Sequence, residues 1–555
     1  MPPAHHRPID SFDRLNCVRR TAPRGRCGAQ LVRVLLGAFL AQNAMAMATS
    51  SGAATATFSR IQIGGNTAIP ATTLDTLAAE YQGRAITDEE LQTLRKRIDE
   101  AYARAGFRTS RAVIPDQDMA HDSLHIEVVE AGIERVEIVG AKRLDVEYLK
   151  RRIGLGLGVP LDVDRLNDNL RLLILESVVE NLHADFTPGA AVGRSVLRVT
   201  VEEGPQYSAG LRVANDRSPT AGGVRGAVET GVRNLFARGD QFDLAFGKAD
   251  GLRDLDLRFR TPLNSIGTEL AGRYFTYHSK LVEDQFAVLD AETKAQGAEL
   301  GLSQALWRRS GRQIGASLRF TTRQSESFLR GERFSFSPGA DHGRLDVKAA
   351  RLGLQWLERG RSDVLSVRYT WSLGLRGLGG TEHDGGIPDS SFHTSLVQAQ
   401  WLHTFGPRAG SVFLRGDWQD ADSPLLSLEK FSVGGFGSVR GYRRARVVRD
   451  NGWAASIEYR LPLYKLAVPG IAKRDSDGQL SFITFIDAGR AWNEHDAADR
   501  PHTLLAAGPG LRWDASREVR AEVYWGAVRR HLKGGSSDDI QDEGIHFALS
   551  ARRGF

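Results

Sequence analysis

Leu365-Ser-Val-Arg-Tyr-Thr-Trp-Ser-Leu373 alternates without a break. Leu365, Val367, Tyr369, Trp371 and Leu373 share one parity, and Ser366, Arg368, Thr370 and Ser372 share the other. A period of two places successive side chains on opposite faces of a strand. Three further stretches repeat the pattern. Ile314, Ala316, Leu318 and Phe320 alternate with Gln313, Gly315, Ser317 and Arg319. Trp453, Ala455, Ile457, Tyr459 and Leu461 alternate with Ala454, Ser456, Glu458 and Arg460. Val519, Ala521, Val523 and Trp525 alternate with Glu518, Arg520, Glu522 and Tyr524. One face suits lipid and the other suits a wet lumen. A strand in lipid must satisfy its backbone through neighbours, so the sheet has to close.

From Pro205 to Phe555 this pattern replaces helical periodicity. Strands of about 9–11 residues fit there, roughly 16 of them, with 14 or 18 left open by uncertain boundaries. The reading is a transmembrane antiparallel β-barrel over 205–555. A soluble sandwich would also alternate, but with shorter strands and its apolar face inward.

Composition agrees. The 555 residues suggest more than one unit. Mean hydropathy is −0.30, and no run of 18 apolar residues follows the leader, which argues against a helical membrane protein. The net charge of +6 invites a nucleic-acid partner, but seven arginines against two aspartates give residues 1–46 a charge of +5. The remainder is close to neutral, and the reading is no nucleic acid. Arginines 19, 20, 24, 26 and 33 lead into the apolar run Val34–Ala41, and Ala44-Met45-Ala46 follows. That is a secretory signal peptide over 1–46, with cleavage after Ala46 or Ala48. Cys17 and Cys27, the only cysteines, lie within it, so a processed chain has no thiol for disulfides or metal.

Between leader and barrel, residues 47–57 read as a short linker. Residues 58–132 read as strand, helix, helix, strand, strand. Phe58–Ile63 alternates, and Thr72–Tyr81 forms a first helix. Thr87 and Glu90 make a capping box, and Ile86 with Leu91 a hydrophobic staple. Leu91, Leu94, Ile98, Tyr102 and Ala105 keep helical spacing until Gly106 ends the helix. Arg111–Pro115 and Leu124–Val129 follow as strands. Residues 133–204 repeat the order: Val136–Val139, Asp145–Ile153, Asp162–Glu176, Val179–Phe186 and Val196–Val201. These two small α/β units resemble POTRA (polypeptide-transport-associated) domains. The resemblance implies periplasmic modules whose sheet edges accept an extended client.

Between two strong strands lies Val433-Gly-Gly-Phe-Gly-Ser-Val-Arg-Gly-Tyr442, followed by Arg443-Arg-Ala-Arg446. By composition it could be a glycine-rich surface loop with solvated arginines. Val439-Arg440-Gly441-Tyr442, however, is similar to the loop-tip motif of the outer-membrane polypeptide-translocation superfamily. Phe485-Ile-Asp487-Ala-Gly489 is similar to that superfamily's F-x-D-x-G strand motif. The resemblance implies a long loop, at about 432–450, folded back into the barrel with Arg440 paired to Asp487. An exposed pair would contribute only about 0–1 kcal/mol, so the pair must be enclosed. Glu458 and Arg460 face the same lumen by parity. The chain ends in an alternating segment carrying Phe547 and Phe555, which resembles the signal that hands barrels to their assembly machinery.

Two modules and one barrel resemble the two-partner secretion transporters (TpsB; ShlB/FhaC/HecB-type haemolysin secretion/activation proteins). The resemblance implies an outer-membrane, lipopolysaccharide-embedded transporter. It would export a TpsA-like exoprotein, and periplasmic chaperones would assist its own assembly. The plug helix that many such transporters carry is not expected in residues 47–57. An assembly factor inserting other barrels through a weak seam is the alternative. A passive porin has no use for the two modules. No catalytic, nucleotide or metal motif is visible, so neither an enzyme nor a cofactor is expected.

Overall fold

A computed structural model describes residues 55–118, 122–175, 178–384, 386–494, 502–529 and 539–555. The leader, Cys17, Cys27 and residues 47–54 of the expected linker lie outside them. The chain forms two compact units, one ending at Gly204 and the other spanning Pro205–Phe555.

The first unit holds both α/β modules. In the first, Arg60–Gly64 runs parallel to Ser123–Val129, which pairs antiparallel with Arg111–Val113. Helices Ala71–Ala79 and Asp88–Arg104 complete it. The capping box is formed: Glu90 N donates to Thr87 Oγ1 at 3.2 Å and Thr87 N to Glu90 Oε2 at 2.9 Å. Gly106 has φ +99°, the left-handed conformation that ends a helix. Leu91, Leu94, Ile98 and Tyr102 are buried beneath the sheet with Leu124 and Ile126. One detail differs from the sequence reading. Thr55–Thr57 is a strand paired with Ala85–Thr87, so these residues are part of the module and not linker. Both strands are three residues long, too short for periodicity to reveal.

The second module repeats the topology. Gly132–Val139 runs parallel to Arg194–Glu203, which pairs antiparallel with Val179–Pro188. Asp145 caps helix Val146–Gly154, and Leu166, Leu170 and Leu173 of helix Val163–Leu175 enter the core.

In the second unit, sixteen long strands close into an antiparallel barrel. Its alternation has the sense expected of a membrane barrel. Ser366, Thr370 and Ser372 are buried toward the lumen, while Leu300, Leu318, Leu352, Leu354 and Ile457 are exposed on the outside. Apolar side chains outside and polar ones inside fit lipid around a polar interior. The last strand, Ile545–Gly554, closes on the first, Tyr207–Ala214, through the continuous register Ala548↔Ala214 to Gly554↔Ser208. Tyr207 and Phe555 then exchange backbone hydrogen bonds at 3.0 and 2.9 Å. The seam is paired throughout this register, so it does not favour the assembly alternative.

Both chain ends of the barrel lie at one rim. The connection between Gly410–Ala421 and Asn451–Lys465 starts at the other rim. It begins at 422, ten residues earlier than the sequence suggested, because Gly410–Ala421 ends there.

Candidate functional site

Within this connection, Phe431–Val433 pairs antiparallel with Val447–Arg449 and makes the stem of a hairpin. The tip is folded on itself. Gly435 N donates to Val439 O at 3.0 Å, and Gly434 N to Ser438 Oγ at 2.7 Å. Phe431, Val433, Val439, Tyr442 and Val447 pack with Leu396, Ala454, Ala491, Leu504 and Ala506 of the wall. The hairpin is therefore a packed element inside the barrel and not a surface loop.

The wall is shaped to receive it. On strand Gln479–Trp492, Phe485, Asp487 and Gly489 share the inward parity. A Cβ on Gly489 would come within 2.6 Å of Val433 Cγ1 and 3.1 Å of Val439 Cγ2. Gly441 has φ +87°, and a Cβ there would lie 2.6 Å from Gly526 O. Two glycines thus let the tip approach the wall.

Arg440 is at the centre and 4% exposed. Its Nε donates to Asp487 Oδ2 at 2.7 Å and its Nη2 to Oδ1 at 2.8 Å. Its backbone N–H adds a bond to Asp487 Oδ2 at 3.0 Å. Nη1 donates to Glu458 Oε1 at 2.6 Å, and Nη2 to Ser456 Oγ at 3.0 Å. Arg460 holds the other Glu458 oxygen at 2.8 and 2.9 Å. The guanidinium carbon lies 3.7 Å from the Phe485 ring centroid and 4.8 Å from that of Tyr524. A planar fork fits this bidentate, ring-stacked setting, whereas a lysine ammonium does not.

The next residues extend the attachment. Gly441 N donates to His546 Nε2 at 3.0 Å, which places the proton of a neutral imidazole on Nδ1. Tyr442 Oη donates to Leu505 O at 3.3 Å. Arg443 bridges Glu283, at 3.0 Å, and Asp542.

The structure thus brings together seven of the residues singled out in the sequence: Val439, Arg440, Gly441, Tyr442, Phe485, Asp487 and Gly489. Phe547 and Phe555 lie elsewhere. Phe547 N donates to Asn215 Oδ1 at 2.7 Å, and the Phe555 ring stacks on Tyr207 at 6.1 Å. Sequence reasoning missed the other anchor. Glu429, 1% exposed, receives Arg351 Nη2 on both oxygens at 2.8 Å and Arg323 Nη1 at 3.1 Å. Lumenal parity marks Arg323 and Arg351 in the sequence, but nothing there points to Glu429 as their partner.

The family model for haemolysin secretion/activation protein ShlB/FhaC/HecB matches residues 193–513. The chain belongs to that family. The model for the ShlB-type POTRA domain matches residues 56–131, the first α/β module. The outer membrane transporter CdiB of Dickeya dadantii is 21% identical over 465 residues, covering 81% of this chain and 78% of the relative. The heme/hemopexin transporter protein HuxB of Haemophilus influenzae is 20% identical over 417 residues, covering 70% and 69%. Among solved structures, CdiB from Escherichia coli superposes with a TM-score of 0.71 at 18% identity, over 92% of this chain and 93% of that one. BamA from Haemophilus ducreyi, lacking POTRA domains 1–3, reaches 0.52 at 15% identity, over 90% and 100%. These likenesses at low identity concern the fold, whereas family membership concerns the protein class. This member of the ShlB/FhaC/HecB family is an outer-membrane transporter of the two-partner secretion type, with its POTRA region in the periplasm.

Proposed function

We propose that the chain exports one large TpsA-like exoprotein, with the two modules capturing it unfolded and the lumenal hairpin governing its route. The observation that carries this reading is the hairpin inside the barrel, fastened through Arg440 to Asp487 and Glu458. A lumen crossed by an anchored element suits a channel that is closed at rest and passes one class of client. A passive porin has no need of it.

The modules supply capture. Gly132–Val139 and Val179–Pro188 are the edges of the second sheet, eight and ten residues long. Edges of the first sheet have five and three. Strand addition gains backbone hydrogen bonds without requiring one sequence, and a longer edge offers more of them. Export then needs no nucleotide, because a client that folds outside cannot slide back. For its own insertion, the strand Ile545–Gly554 with Phe547 and Phe555 is the segment offered to the barrel assembly machinery after periplasmic chaperones keep the chain unfolded. The continuously paired seam gives the assembly-factor reading no support.

Quantitative proteomics of medium and outer membrane, with and without the gene, tests the proposal. Loss of one large secreted protein with other barrels unchanged is the expected result. A general fall in other barrels, with no secreted protein missing, would overturn it.

A further inference from the structure

At the rim where the barrel's two ends lie, the interior opens into a cavity of about 640 Å³. That size falls in the range of ligand pockets, about 300–1,000 Å³. The turn residues Arg361, Pro407, Ser476 and Arg517 place it at this end. Its wall includes Ser481 and Arg512, both buried on the inward face, so it opens to the lumen and not to lipid.

The lining is strongly one-signed. Arg361, Arg460, Lys465, Arg512, Arg517 and Arg520 contribute to it. Among the described lining residues, two carboxylates oppose them, Asp477 and Asp514. Both are already engaged. Asp477 accepts the backbone N–H groups of Lys473 and Arg474 at 2.9 and 3.0 Å. Asp514 accepts Arg520 at 2.8 Å and Arg512 at 3.3 Å. The chain beyond residue 46 is close to neutral in total, so the excess of four positive charges among the lining residues is local, and Glu458 behind the lining offsets part of it through Arg460. Cations lining a cleft with low-dielectric walls focus their field into it and concentrate anions there. Pro407 and Pro462 add apolar surface. Positive charge interleaved with such surface fits a flexible chain carrying spaced carboxylates better than a compact ion.

We propose that this cavity receives an acidic segment of the unfolded client as it enters the lumen. The inference rests on the transport reading and gives its client a chemical character. Arg460 connects the two sites: it lines the cavity and also holds Glu458, whose other oxygen holds Arg440. An occupant therefore binds one side chain away from the hairpin anchor.

The test uses the full-length protein in detergent, titrated with a labelled alternating Glu-Gly peptide and with its Lys-Gly counterpart. The acidic peptide is expected to bind at least about tenfold more tightly, with affinity falling as salt rises. The combined variant Arg361→Glu, Lys465→Glu, Arg517→Glu should weaken acidic-peptide binding about tenfold or more, while heat-modifiable migration shows that its barrel is folded. Equal binding of both peptides, or unchanged affinity in the triple variant, would overturn the proposal. Purified lipopolysaccharide binding the native protein more tightly than the acidic peptide, and losing that affinity in the triple variant, would also overturn it, assigning the cavity to lipid phosphate. None of these results touches the transport reading, which stands or falls on the missing secreted protein.

Discussion

Glu429 and Arg351 form a buried pair in which one guanidinium nitrogen donates to both carboxylate oxygens at 2.8 Å. Glu429 is near the root of the hairpin. Arg351 is on strand Arg344–Arg359, five strands around the barrel from the strand that carries Asp487. The connection is therefore held at two separated places on the wall. Glu429→Ala leaves Arg323 and Arg351 buried without their shared counter-charge, a loss of about 3–5 kcal/mol. The root should loosen while the Arg440 anchor stays formed. Protease added to intact cells is expected to cut the connection faster in this variant, and an unchanged cutting rate would remove Glu429 from the anchoring.

At the tip, Arg440→Ala should leave a heat-modifiable barrel in the outer membrane and reduce export, since Asp487 and Glu458 lose a buried partner worth about 3–5 kcal/mol. Arg440→Lys should remain defective, because a compact ammonium cannot span both carboxylates as the fork does. From sequence alone, exchanging the charges of Arg440 and Asp487 is expected to restore some function. The structure changes that expectation. Glu458 lies 2.6 Å from Arg440 and would face a new carboxylate. The double exchange should stay impaired, and adding Glu458→Gln should recover part of the export. Client appearing in the medium at native levels with Arg440→Ala would end the proposed role of the tip.

Gly489 tests the close fit between hairpin and wall. A side chain there meets Val433 at 2.6 Å and the Trp453 carbonyl at 3.1 Å. Gly489→Val should overpack the contact by about 1–3 kcal/mol and displace the hairpin. Cys17 and Cys27 are the only cysteines, so a processed chain offers a clean background for labelling. A cysteine at Ser438, which is 3% exposed, should react slowly with maleimide in the native background and much faster beside Gly489→Val. Equal rates would mean that the hairpin is not seated by this contact.

The barrel was legible because its signal is repeated: period-two alternation with one apolar face recurs in strand after strand. The α/β modules were legible through local chemistry, such as the Thr87–Glu90 box and the Gly106 stop. Arg440 and Asp487 were found through motifs, since nothing local in Val439–Tyr442 says that the loop turns inward. Inward Phe485, Asp487 and Gly489 on one strand was the physical clue, because a wet lumen does not call for a phenylalanine and a glycine beside a carboxylate. Glu429 was not legible. It lies in an irregular segment without periodicity, and its partners Arg323 and Arg351 are more than 70 residues away in sequence, 106 and 78 positions respectively. His546 was hidden within the alternation of the last strand, where only the folded loop shows that its Nε2 receives Gly441.

Acid should destabilise the second α/β module through Glu203. Its side chain is 6% exposed, and burial alone would raise its pKa. The Arg143 guanidinium, at 2.8 Å, and the backbone N–H groups of Leu144, Arg143 and Lys142 outweigh burial and hold the carboxyl down at about 2, against an ordinary 4.5. A pKa lowered by folding stabilises the folded state when the group is ionised. That contribution is complete above pH 4.5 and is lost as pH falls from 4.5 through 2. Its size is on the order of 3 kcal/mol, from the difference between the two pKa values. Thermal unfolding of residues 55–204, followed by circular dichroism, should show a midpoint that drops across this window. Glu203→Gln should lower the midpoint at neutral pH and flatten the acid dependence. A native midpoint that is level between pH 5 and pH 2.5, or a Gln variant with the native acid slope, would show that Glu203 does not tie Lys142–Leu144 to the end of the sheet.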